Sequence, residues 1–295
     1  MAAVEEPWTV ARLLEWTTSH FAAKRPDSPR LDAEILLAHA MGCKRIDLYV
    51  RHGDVPSDSV RDRFRELVRG RARGEPVAYL VGKKEFFSLE FEVNSSVLIP
   101  RPETETLVDQ ALRFLKSSGI AQPMILDLGT GSGCIAITLA KLVPAAKVDA
   151  VDASAKALSV AQSNARKHGV QERIRWLEGD LFQALPPATQ YHLIVSNPPY
   201  IRSSVIPELD PQVRQFEPHL ALDGGPDGLA CYRRIWSDAQ KWAFPQTQVM
   251  VEVGFDQAES VEAIARENGW SQTRVVADMA RIPRVVIGSR PGGLQ

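Results

Sequence analysis

The stretch ILDLGTGSGCIAITLA, residues 125–140, predicts the fold of the larger part of this chain. A short apolar run surrounds Asp127, three glycines follow at alternate positions, and an apolar pattern with helical spacing begins directly after the last glycine. Glycines between a strand and a helix permit a tight turn and let the backbone approach a ligand closely. Ligands of open α/β sheets bind at this carboxyl end of the strands. The stretch therefore predicts an α/β sheet with a ligand site where a strand ends.

The chain after Pro123 repeats the strand-then-helix pattern and so indicates the same fold class. Short apolar runs alternate with helical stretches, which predicts a mainly parallel sheet with helices on both faces. These runs are MILDLG, KVDAVD, IRWLEGD, HLIVSN and QVMVEVG. The run RVVIG at 284–288 follows QTRVVAD too closely for a helical crossover, so we expect an antiparallel strand at the end.

The first part of the chain has a helical pattern instead. From Val10 onward apolar residues recur at helical spacing, with Thr9 in the N-cap position, and further helices are predicted near 30–41 and 57–72. We interpret the arginine-rich segment 61–73 as a solvated helix face rather than an RNA-contacting patch. This part of the chain is therefore expected to be a small helical domain.

A β-hairpin is predicted between the two parts. The segment KEFFSLEFEVNSSVLIP, residues 84–100, alternates apolar and polar side chains, and Asn94-Ser95-Ser96 is typical of a turn. We therefore divide the chain into a helical substrate-recognition domain at 1–82, a hairpin linker at 83–100 and an α/β domain at 101–295.

Composition indicates an ordinary globular protein. Hydrophobic residues make up 44% of the 295 residues and charged residues 24%. No apolar run approaches the ~20 residues that span a bilayer, so no membrane segment is expected. The N-terminal segment carries Glu5 and Glu6 and lacks the basic-then-apolar order of a secretory signal. The cytoplasm is the expected compartment.

Charge and cysteine spacing argue against other kinds of site. A net charge of −1 with a pI near 6.6 argues against nucleic-acid binding by bulk electrostatics, so no stable nucleic-acid partner is expected. Cys43, Cys134 and Cys231 lie far apart and match no zinc or redox spacing. We therefore expect neither a metal site nor a disulfide.

The glycine-rich turn indicates which cofactor binds. Its spacing is Gly-x-Gly-x-Gly, so the third glycine comes one residue earlier than in the Gly-x-Gly-x-x-Gly of dinucleotide-binding folds. This departure, with Asp127 two residues before the first glycine, favours S-adenosylmethionine over a nicotinamide dinucleotide. The predicted cofactor loop consists of Gly129, Thr130, Gly131, Ser132 and Gly133.

Acidic residues at the ends of the next two strands extend this site. Asp152 follows the loop at the ~20-residue distance where an acidic side chain accepts hydrogen bonds from ribose hydroxyls. Ser154 is available to cap the following helix, which leaves Asp152 for the ribose. Asp180 is expected to accept a hydrogen bond from the adenine amino group, with Leu181 beside the ring.

The segment SNPPYI offers the chemistry for a second ligand. The strand HLIVS leads directly into Asn197, Pro198, Pro199 and Tyr200, which puts them beside the glycine loop at one edge of the sheet. Proline has no N–H, so this segment offers carbonyl acceptors, and the Asn197 side-chain oxygen adds another. Two acceptors suit a planar group with two N–H bonds, either a carboxamide or an aromatic amine. We assign all four residues to substrate binding, Asn197, Pro198 and Tyr200 also to catalysis, and Asn197 also to the cofactor side of the site.

Such acceptors would also activate the substrate nitrogen. Delocalisation of its lone pair makes an amide nitrogen planar and a poor nucleophile. Acceptors placed where the two hydrogens lie once the nitrogen is tetrahedral favour the transition state over the planar ground state. Methyl transfer then needs no side-chain base before attack, and the Tyr200 ring is expected to form a wall against the planar group.

With these motifs the sequence resembles the protein-glutamine N(5)-methyltransferases of the HemK/PrmC type, which methylate the glutamine of the Gly-Gly-Gln motif in peptide chain release factors. The similarity runs nearly end to end. It includes GEPVAYLVGKKEFF (74–87), LIPRPETE (98–105), LDLGTGSGCIA (126–136), SNPPYI (196–201), EPHLALDGGPDGLACYRRI (217–235) and VEVGFDQ (251–257).

The resemblance implies a Rossmann-like, class I S-adenosylmethionine-dependent methyltransferase domain and release factors as the protein partner. It implies that the glycine loop and Asp152 bind S-adenosylmethionine and that Asn197 to Tyr200 bind the substrate glutamine. Glu103 or Glu105 of RPETE would close the cofactor pocket, or would only complement the dipole of the helix that starts there. Two positions depart from the family pattern: Leu181, where some relatives carry an aromatic residue, and Asp278, which lacks the glycine usual shortly after it.

Other functions remain open at this point. An adenine-amino DNA methyltransferase uses a similar loop, which by itself does not distinguish an adenine amine from a carboxamide. A sister enzyme methylates a ribosomal-protein glutamine, and the RPETE sequence argues against it. A non-catalytic cofactor-binding scaffold is a third alternative. For the release-factor function, we hypothesise that the helical domain and the hairpin hold the factor away from its glutamine.

Overall fold

The computed structural model describes residues 7–23 and 28–290. The remaining segments are 1–6, 24–27 and 291–295, so Glu5 and Glu6, on which the expectation against a secretory signal rests, lie outside the described residues. Within the described ranges, no helix is long and apolar enough to cross a membrane. Contacts divide the chain into two compact units, Met1–Gly82 with Pro211–Phe216, and Lys83–Asp210 with Glu217–Gln295.

The first unit consists of short helices around an apolar core. They are α1 (Val10–Ala22), α2 (Pro29–Met41), α3 (Arg45–Val50), α4 (Asp58–Ala72) and α5 (Val77–Val81), so the helices predicted near 30–41 and 57–72 are confirmed. The Thr9 side chain accepts a hydrogen bond from the Arg12 N–H (3.3 Å), which confirms the predicted N-cap. Fully buried apolar side chains from α1, α2 and α3 meet in the core, among them Phe21, Leu36, Leu37 and Leu48.

A buried ion pair joins three parts of this unit. Arg71 Nε on α4 donates to Asp32 Oδ2 on α2 (2.7 Å), and both residues are only 9% exposed. Arg71 Nη1 also donates to Gln212 Oε1 (3.1 Å), which ties the distant segment Pro211–Phe216 to the helical unit. No pattern in the sequence indicated that this segment packs with the first helices.

The hairpin forms, but its turn is not where the sequence predicted it. Strands β1 (Lys83–Phe86) and β2 (Leu89–Glu92) pair antiparallel, and the turn between them is Phe87-Ser88, with φ of 51° and 60°. A turn does form at Asn94-Ser95-Ser96, where the Val97 N–H donates to the Asn94 carbonyl (3.1 Å) and the Ser96 N–H donates to Asn94 Oδ1 (2.9 Å), but it follows β2 and is not the turn of the hairpin. Two-residue hairpins of this backbone type normally use Asn or Gly. Here burial of Phe86 and Phe91, whose rings pack 6.1 Å apart, sets the register instead.

The second unit contains a seven-stranded sheet. Its strands are β3 (Met124–Leu128), β4 (Lys147–Asp152), β5 (Ile174–Glu178), β6 (Tyr191–Ser196), β7 (Ala243–Glu252), β8 (Gln272–Ala277) and β9 (Pro283–Ser289), in the order β5-β4-β3-β6-β7-β9-β8. Strands β3 to β7 pair parallel, and β9 pairs antiparallel with both β7 and β8. The predicted fold class, a mainly parallel sheet with an antiparallel strand at the end, is confirmed.

Helices cover both faces of this sheet. The remaining helices are α6 (Thr104–Ser117), α7 (Cys134–Leu142), α8 (Ala155–His168), α9 (Pro211–Phe216, which belongs to the helical unit), α10 (Ala230–Asp238) and α11 (Ala258–Glu267). Successive strand residues point to opposite faces. Accordingly Ile125 packs in a core with α6, α7 and α8, whereas Leu126 packs in a second core with α10 and α11. The parallel strands β3 to β7 thus leave their carboxyl ends at one edge, where loops can build a site.

Candidate active site

Loops at the carboxyl ends of the parallel strands surround one cavity of about 440 Å³. This volume lies within the ~300–1,000 Å³ usual for small-molecule sites. Most of the predicted site residues line it, namely Gly129, Thr130, Gly131, Ser132, Asp152, Asp180, Leu181, Asn197 and Pro199. Gly133, Pro198 and Tyr200 were also predicted but are not part of the lining. The structure thus brings residues from four separate loops together, as the positions of their strands require.

Two of the loop glycines leave open space beside the backbone. Gly129 and Gly131 have φ of +72° and +55°, a conformation that side-chain-bearing residues rarely adopt. A Cβ added to either would meet no atom within 4 Å, so nothing else occupies the space next to these residues. Gly133 differs, because a Cβ there would lie 2.8 Å from Ile137 Cδ1 and 3.1 Å from Ala161 Cβ. Gly133 therefore permits close packing of α7 and α8.

Asp152 is fixed between the glycine loop and the cavity. Its Oδ2 accepts a hydrogen bond from the Gly131 N–H (2.8 Å), and its Oδ1 accepts one from the Ser154 N–H (2.9 Å). Burial raises the pKa of the Asp152 carboxyl. Ser154 caps α8 by accepting from the Ala157 N–H (3.2 Å), which confirms that Asp152 is not needed as the cap. Each carboxylate oxygen has a second lone pair and keeps acceptor capacity for a ligand.

Asp127, near the end of β3, holds the glycine loop through buried hydrogen bonds. It is fully buried, and its Oδ2 accepts hydrogen bonds from the Thr130 hydroxyl (2.6 Å) and the Ala136 N–H (3.2 Å). Its Oδ1 has no hydrogen-bond partner among the described residues. Burial is the main cause that raises the pKa of Asp127 to about 7. The carboxyl therefore ties the strand end, the loop and the start of α7 into one rigid unit.

Asp180 and Leu181 form the far wall of the cavity. Asp180 Oδ2 accepts from Arg234 Nη2 (2.8 Å), a partner from α10 that the sequence pattern did not indicate. Leu181 has φ +52°, so the backbone directly after Asp180 is strained and turns the chain sharply at this wall. Arg234 itself also lines the cavity. One oxygen of Asp180 thus remains to accept from a ligand.

Asn197 is held by a residue that lies 93 positions earlier in the chain. Its Nδ2 donates to Thr104 Oγ1 (3.1 Å) at the start of α6, and its Oδ1 has no partner in the described part of the chain. The preceding Ser196 hydroxyl donates to the Leu128 carbonyl (2.7 Å), which fastens the end of β6 to the end of β3. Asn197 therefore offers an oxygen acceptor at the cavity, beside the glycine loop.

A glycine-rich segment clamps the backbone of the Pro-Pro-Tyr loop. The Ile201 N–H donates to the Leu222 carbonyl (3.0 Å), and the Gly224 N–H donates back to the Ile201 carbonyl (2.8 Å). A Cβ on Gly224 would lie 2.7 Å from Tyr200 Cα and 2.9 Å from the Pro199 oxygen, so only glycine fits there. The sequence GGPDG is typical of a turn, but its contact with the Pro-Pro-Tyr loop was not predicted.

Tyr200 supports the loop from outside the cavity lining. The Gln257 Nε2 donates to its carbonyl oxygen (2.9 Å), and a Cβ on Gly254 would lie 3.4 Å from its ring. Burial, with the negative charge of Glu252 adding to it, raises the pKa of the Tyr200 hydroxyl to about 12. Tyr200 is thus a half-buried ring whose hydroxyl stays neutral at neutral pH.

Two buried residues next to this loop, Thr104 and Glu252, were not predicted from the sequence. Thr104 is 2% exposed and lines the cavity, and Glu252, at the end of β7, is 1% exposed. Burial raises the pKa of Glu252 to about 7, and a hydrogen bond from the Thr104 hydroxyl acts in the opposite direction. The sequence did contain a signal for Glu252, because QVMVEVG places an acidic residue near the end of an otherwise apolar strand.

The residues of the RPETE motif, 101–105, differ in whether they line the cavity and in which residues they contact. Arg101 lines the cavity and donates through Nη2 to the buried Glu217 (2.5 Å). Glu105 Oε1 accepts from the Phe87 N–H (2.7 Å) and so holds the hairpin turn, while Glu103 is not part of the lining. Asp278 accepts from the Ala280 and Ile282 N–H groups (2.8 and 3.0 Å) and closes the β8–β9 turn.

The cysteines and acids of the site do not form a metal centre. In residues 7–23 and 28–290, no group of three or more His, Cys, Asp or Glu side chains is arranged to hold a metal ion. Cys134 lines the cavity, where burial is the main cause that raises the pKa of its thiol to about 12. A thiol with such a pKa stays protonated at neutral pH and is a poor nucleophile.

Comparison with known proteins adds family information to this geometry. One family profile, the PrmC N-terminal domain, matches residues 12–82, and another, the methyltransferase small domain, matches residues 104–209. A protein of Rhodopirellula baltica named release factor glutamine methyltransferase is 45% identical over 285 residues, which cover 96% of each chain. A protein of the same name from Geobacter sulfurreducens is 41% identical and covers 98% of this chain and 99% of its own.

Solved structures of low sequence identity share the fold. The hMettl16 catalytic domain in complex with MAT2A 3′UTR hairpin 6 has a TM-score of 0.59 at 14% identity and covers 78% of this chain and 84% of its own. A methyltransferase from Pyrococcus furiosus has a TM-score of 0.52 at 16% identity and covers 79% of this chain and 99% of its own. The sheet unit is a class I S-adenosylmethionine-dependent methyltransferase domain. Since the two relatives match nearly end to end, the chain belongs to the release factor glutamine methyltransferase family.

Proposed function

We propose that this chain transfers a methyl group from S-adenosylmethionine to the side-chain amide nitrogen of the glutamine in the Gly-Gly-Gln motif of peptide chain release factors, and so modulates translation termination in the cytoplasm. The observation that carries the proposal is the Asn197 Oδ1 acceptor, without a partner among the described residues, in a cavity whose other wall is the glycine loop. The names of the relatives support the choice of substrate.

The residues of the cavity fit S-adenosylmethionine. The open space beside Gly129 and Gly131 suits a ligand in close contact with the backbone. Asp152, fixed by two backbone N–H groups, would accept from the ribose hydroxyls, and Asp180 with Leu181 would border the adenine. Once bound, the cofactor supplies an electrophilic methyl group on a sulfonium.

Asn197 and the backbone beside it would hold the substrate amide. A glutamine side chain presents two N–H donors in one plane. Asn197 Oδ1 would accept from one of them and the Pro198 carbonyl from the other, while Pro199 lines the cavity next to them. The clamp at Ile201 and Gly224 keeps both acceptors in place, which reduces the reorganisation needed in the transition state.

This arrangement supports activation of the nitrogen without a general base. Acceptors that fix both hydrogens outside the amide plane favour the tetrahedral nitrogen and thereby localise its lone pair. The neutral Tyr200 is not suited to remove a proton, because its pKa is raised to about 12 by burial. The proton leaves after methyl transfer, when the alkylated nitrogen is strongly acidic.

The alternative substrates differ in what they require from the surface. An adenine-amino methyltransferase needs a basic surface for a nucleic acid, and the net charge of −1 speaks against one. For a ribosomal-protein glutamine the chemistry would be identical, so only a direct comparison of substrates separates the two. We therefore expect no stable nucleic-acid complex and a release factor as the protein partner.

The test is methyl transfer from labelled S-adenosylmethionine to purified release factors, a ribosomal-protein mixture and duplex DNA in parallel. We expect label on the release factor, located by mass spectrometry at the motif glutamine. A factor whose motif glutamine is replaced by alanine serves as the control and should remain unlabelled. Label on DNA or on a ribosomal protein alone would leave the fold and cofactor assignments intact but contradict the proposed substrate.

A further inference from the structure

A buried amide on α8 joins the cofactor loop to the hairpin. Asn164 is fully buried, and its Nδ2 donates hydrogen bonds to the Ser132 carbonyl (3.0 Å) and to the Glu92 carbonyl (3.0 Å). Its Oδ1 accepts a hydrogen bond from the Glu92 N–H (2.7 Å). Ser132 belongs to the glycine loop and lines the cavity, whereas Glu92 is the last residue of β2. One side chain therefore bonds to two backbone segments that are distant in the chain.

The hydrogen-bonding groups of Asn164 match these partners. A carboxamide has two N–H hydrogens and one oxygen, and all of them are used here. At Glu92 the amide both donates and accepts at one backbone residue, as a neighbouring strand would. An amide turned by 180° would set its oxygen against two carbonyls and its NH₂ group against an N–H. A side chain without both kinds of group would leave a buried backbone group unpaired, which costs stability.

The cofactor loop also packs on the same face of α8. A Cβ on Gly133 would lie 3.1 Å from Ala161 Cβ, and Ala161 lies one helical turn before Asn164. The last two residues of the loop, Ser132 and Gly133, thus both contact this face, the first through the amide and the second through close packing. The position of the loop therefore depends on α8.

The hairpin is attached to α8 as well, and it leads back to the cavity. Ser163 Oγ donates to Glu92 Oε2 (2.8 Å), and Lys167 Nζ donates to Glu90 Oε1 (3.0 Å). Shortly after β2 the chain reaches residues 96–98, which line the cavity. Helix α8 thus holds two separate parts of the cavity lining, and the Asn164 amide bonds to the backbone of both the loop and the hairpin.

We propose that Asn164 is a positioning residue that fixes the cofactor loop against β2 and thereby couples cofactor binding to the hairpin. This role rests on the proposed function, which assigns S-adenosylmethionine to the glycine loop, and deepens it. A cofactor in contact with the loop restricts the motion of Ser132, and the shared amide transmits that restriction to Glu92. Such coupling is reciprocal, so a protein that binds the hairpin would change the cofactor affinity by the same factor.

Two variants at Asn164 break the link, and a neighbouring variant leaves it intact. Asn164→Asp keeps the size of the side chain and the acceptor for the Glu92 N–H but loses both donors, whereas Asn164→Leu loses all three bonds. Ser163→Ala removes a bond from α8 to the Glu92 side chain and none to the loop, so it is the matched control. Thermal unfolding identifies a temperature at which each variant is folded. If Asn164→Leu does not fold, Asn164→Asp decides.

The first readout is the affinity for S-adenosylhomocysteine, measured by calorimetry, which needs no methyl acceptor. Without its donor the Ser132 carbonyl relaxes in the free protein, and the ligand must restore the binding conformation of the loop. We expect each Asn164 variant to bind about tenfold more weakly than wild type, since a conformation that is less populated lowers the apparent affinity. Ser163→Ala should bind as wild type does.

The second readout is hydrogen exchange of the β2 amides with and without saturating S-adenosylhomocysteine. In the wild-type protein the ligand should slow exchange at β2, including the Glu92 N–H, although Glu92 is not part of the cavity lining. In the Asn164 variants this slowing should be lost, whereas Ser163→Ala should keep it. A loss of overall stability would speed exchange with and without ligand and would not remove the response to the ligand.

Three results would overturn this role of Asn164. They are exchange at β2 that does not respond to the ligand in wild type, wild-type affinity in the Asn164 variants, and an equal loss of affinity in Ser163→Ala. A wild-type protein that shows the expected binding and exchange but does not methylate a release factor would contradict the proposed substrate and leave the role of Asn164 intact. A wild-type protein that does not bind the ligand would contradict both.

Discussion

In the proposed function, Asp152 would bind the cofactor and Asn197 the substrate amide. Asp152 receives backbone hydrogen bonds from Gly131 and Ser154, at the glycine-loop side. Asn197 receives its orientation from Thr104, at the opposite side. Because the two side chains share no hydrogen-bond partner, substitutions at them should have separable effects on binding and turnover.

Asn197→Ala should retain cofactor affinity and lose most turnover. Only the acceptor for the substrate amide is removed, and loss of one such group typically lowers kcat by ~10²–10³-fold. Calorimetry with S-adenosylmethionine and steady-state methylation of a release factor measure the two effects. Asp152→Ala is the complementary variant, and we expect its main loss in cofactor affinity. A collapse of cofactor affinity in Asn197→Ala would contradict this division of the site.

Asp127 should make stability depend on pH. Its pKa in the folded chain is raised to about 7 by burial, above the value of 3.8 for an unperturbed Asp. The folded state therefore binds the proton more tightly, and this contribution to stability is present below about pH 4 and is lost as the pH rises through about 7. It corresponds to roughly 4 kcal/mol. Urea unfolding of the cofactor-free protein at pH 5 and pH 8 should show a smaller difference in Asp127→Asn than in wild type, and equal differences would exclude this assignment.

At the scale of elements, the Pro-Pro-Tyr loop is held by backbone contacts as well as by its own prolines. The segment around Gly224 pairs with Ile201 and approaches the backbone of Pro199 and Tyr200 to a distance where no Cβ fits. A loop held through its backbone keeps its carbonyl acceptors at fixed positions. Gly224 of GGPDG thus contributes to the site without lining it.

Gly224→Ala should displace the Pro-Pro-Tyr loop and reduce turnover. The new Cβ would meet backbone atoms at 2.7–2.9 Å, and backbone cannot give way as the end of a flexible side chain can. We expect kcat to fall and cofactor affinity to change little, because the glycine loop belongs to other strands. Gly53→Ala is the control, since a Cβ there meets nothing within 4 Å and its φ is ordinary. Equal activity of the two variants would show that the clamp is dispensable.

At the scale of the whole molecule, the helical unit has a concave surface of its own. A cavity of about 730 Å³ in this unit is lined by aromatic and arginine side chains, among them Trp8, Trp16, Phe64, Arg61 and Arg65. Trp8 and Trp16 are 38% and 51% exposed and their rings lie 6.5 Å apart, so they form a contiguous exposed apolar patch, a feature that marks protein interaction sites. We therefore expect this surface to contact the release factor away from the motif glutamine.

A folded release factor should be a far better substrate than a short peptide that contains the Gly-Gly-Gln motif. If the helical unit contributes to binding, Trp16→Ala should lower kcat/KM for the folded factor and leave the rate with the peptide unchanged. Val50→Ala, at an 80% exposed position of α3 outside this cavity, is the control. Equal kcat/KM for the folded factor and the peptide in the wild-type protein would contradict a contribution of the helical unit to substrate binding.

Local sequence was sufficient for the elements and for the cofactor loop. Hydrophobic periodicity predicted strands β3 to β9, and residue type predicted the Thr9 and Ser154 caps and the glycine turn. Local sequence was enough for these features because burial of alternate residues, capping and positive φ each act within a few residues of the chain. The same holds for Asp152 and Asn197, since a residue directly after a parallel strand must lie at the ligand edge of the sheet.

Contacts between distant segments required the folded structure. The Phe87-Ser88 turn contradicts local turn preference because burial of Phe86 and Phe91 outweighs it. The link from Asn197 to Thr104 spans 93 positions, and the approach of Gly224 to Tyr200 joins two loops. Such contacts depend on the order of the strands and on how helices pack across them, and hydrophobic periodicity carries no information about either. The local sequence pattern thus predicts which residues lie at the carboxyl-end edge of the sheet, whereas long-range packing determines how their side chains are oriented there.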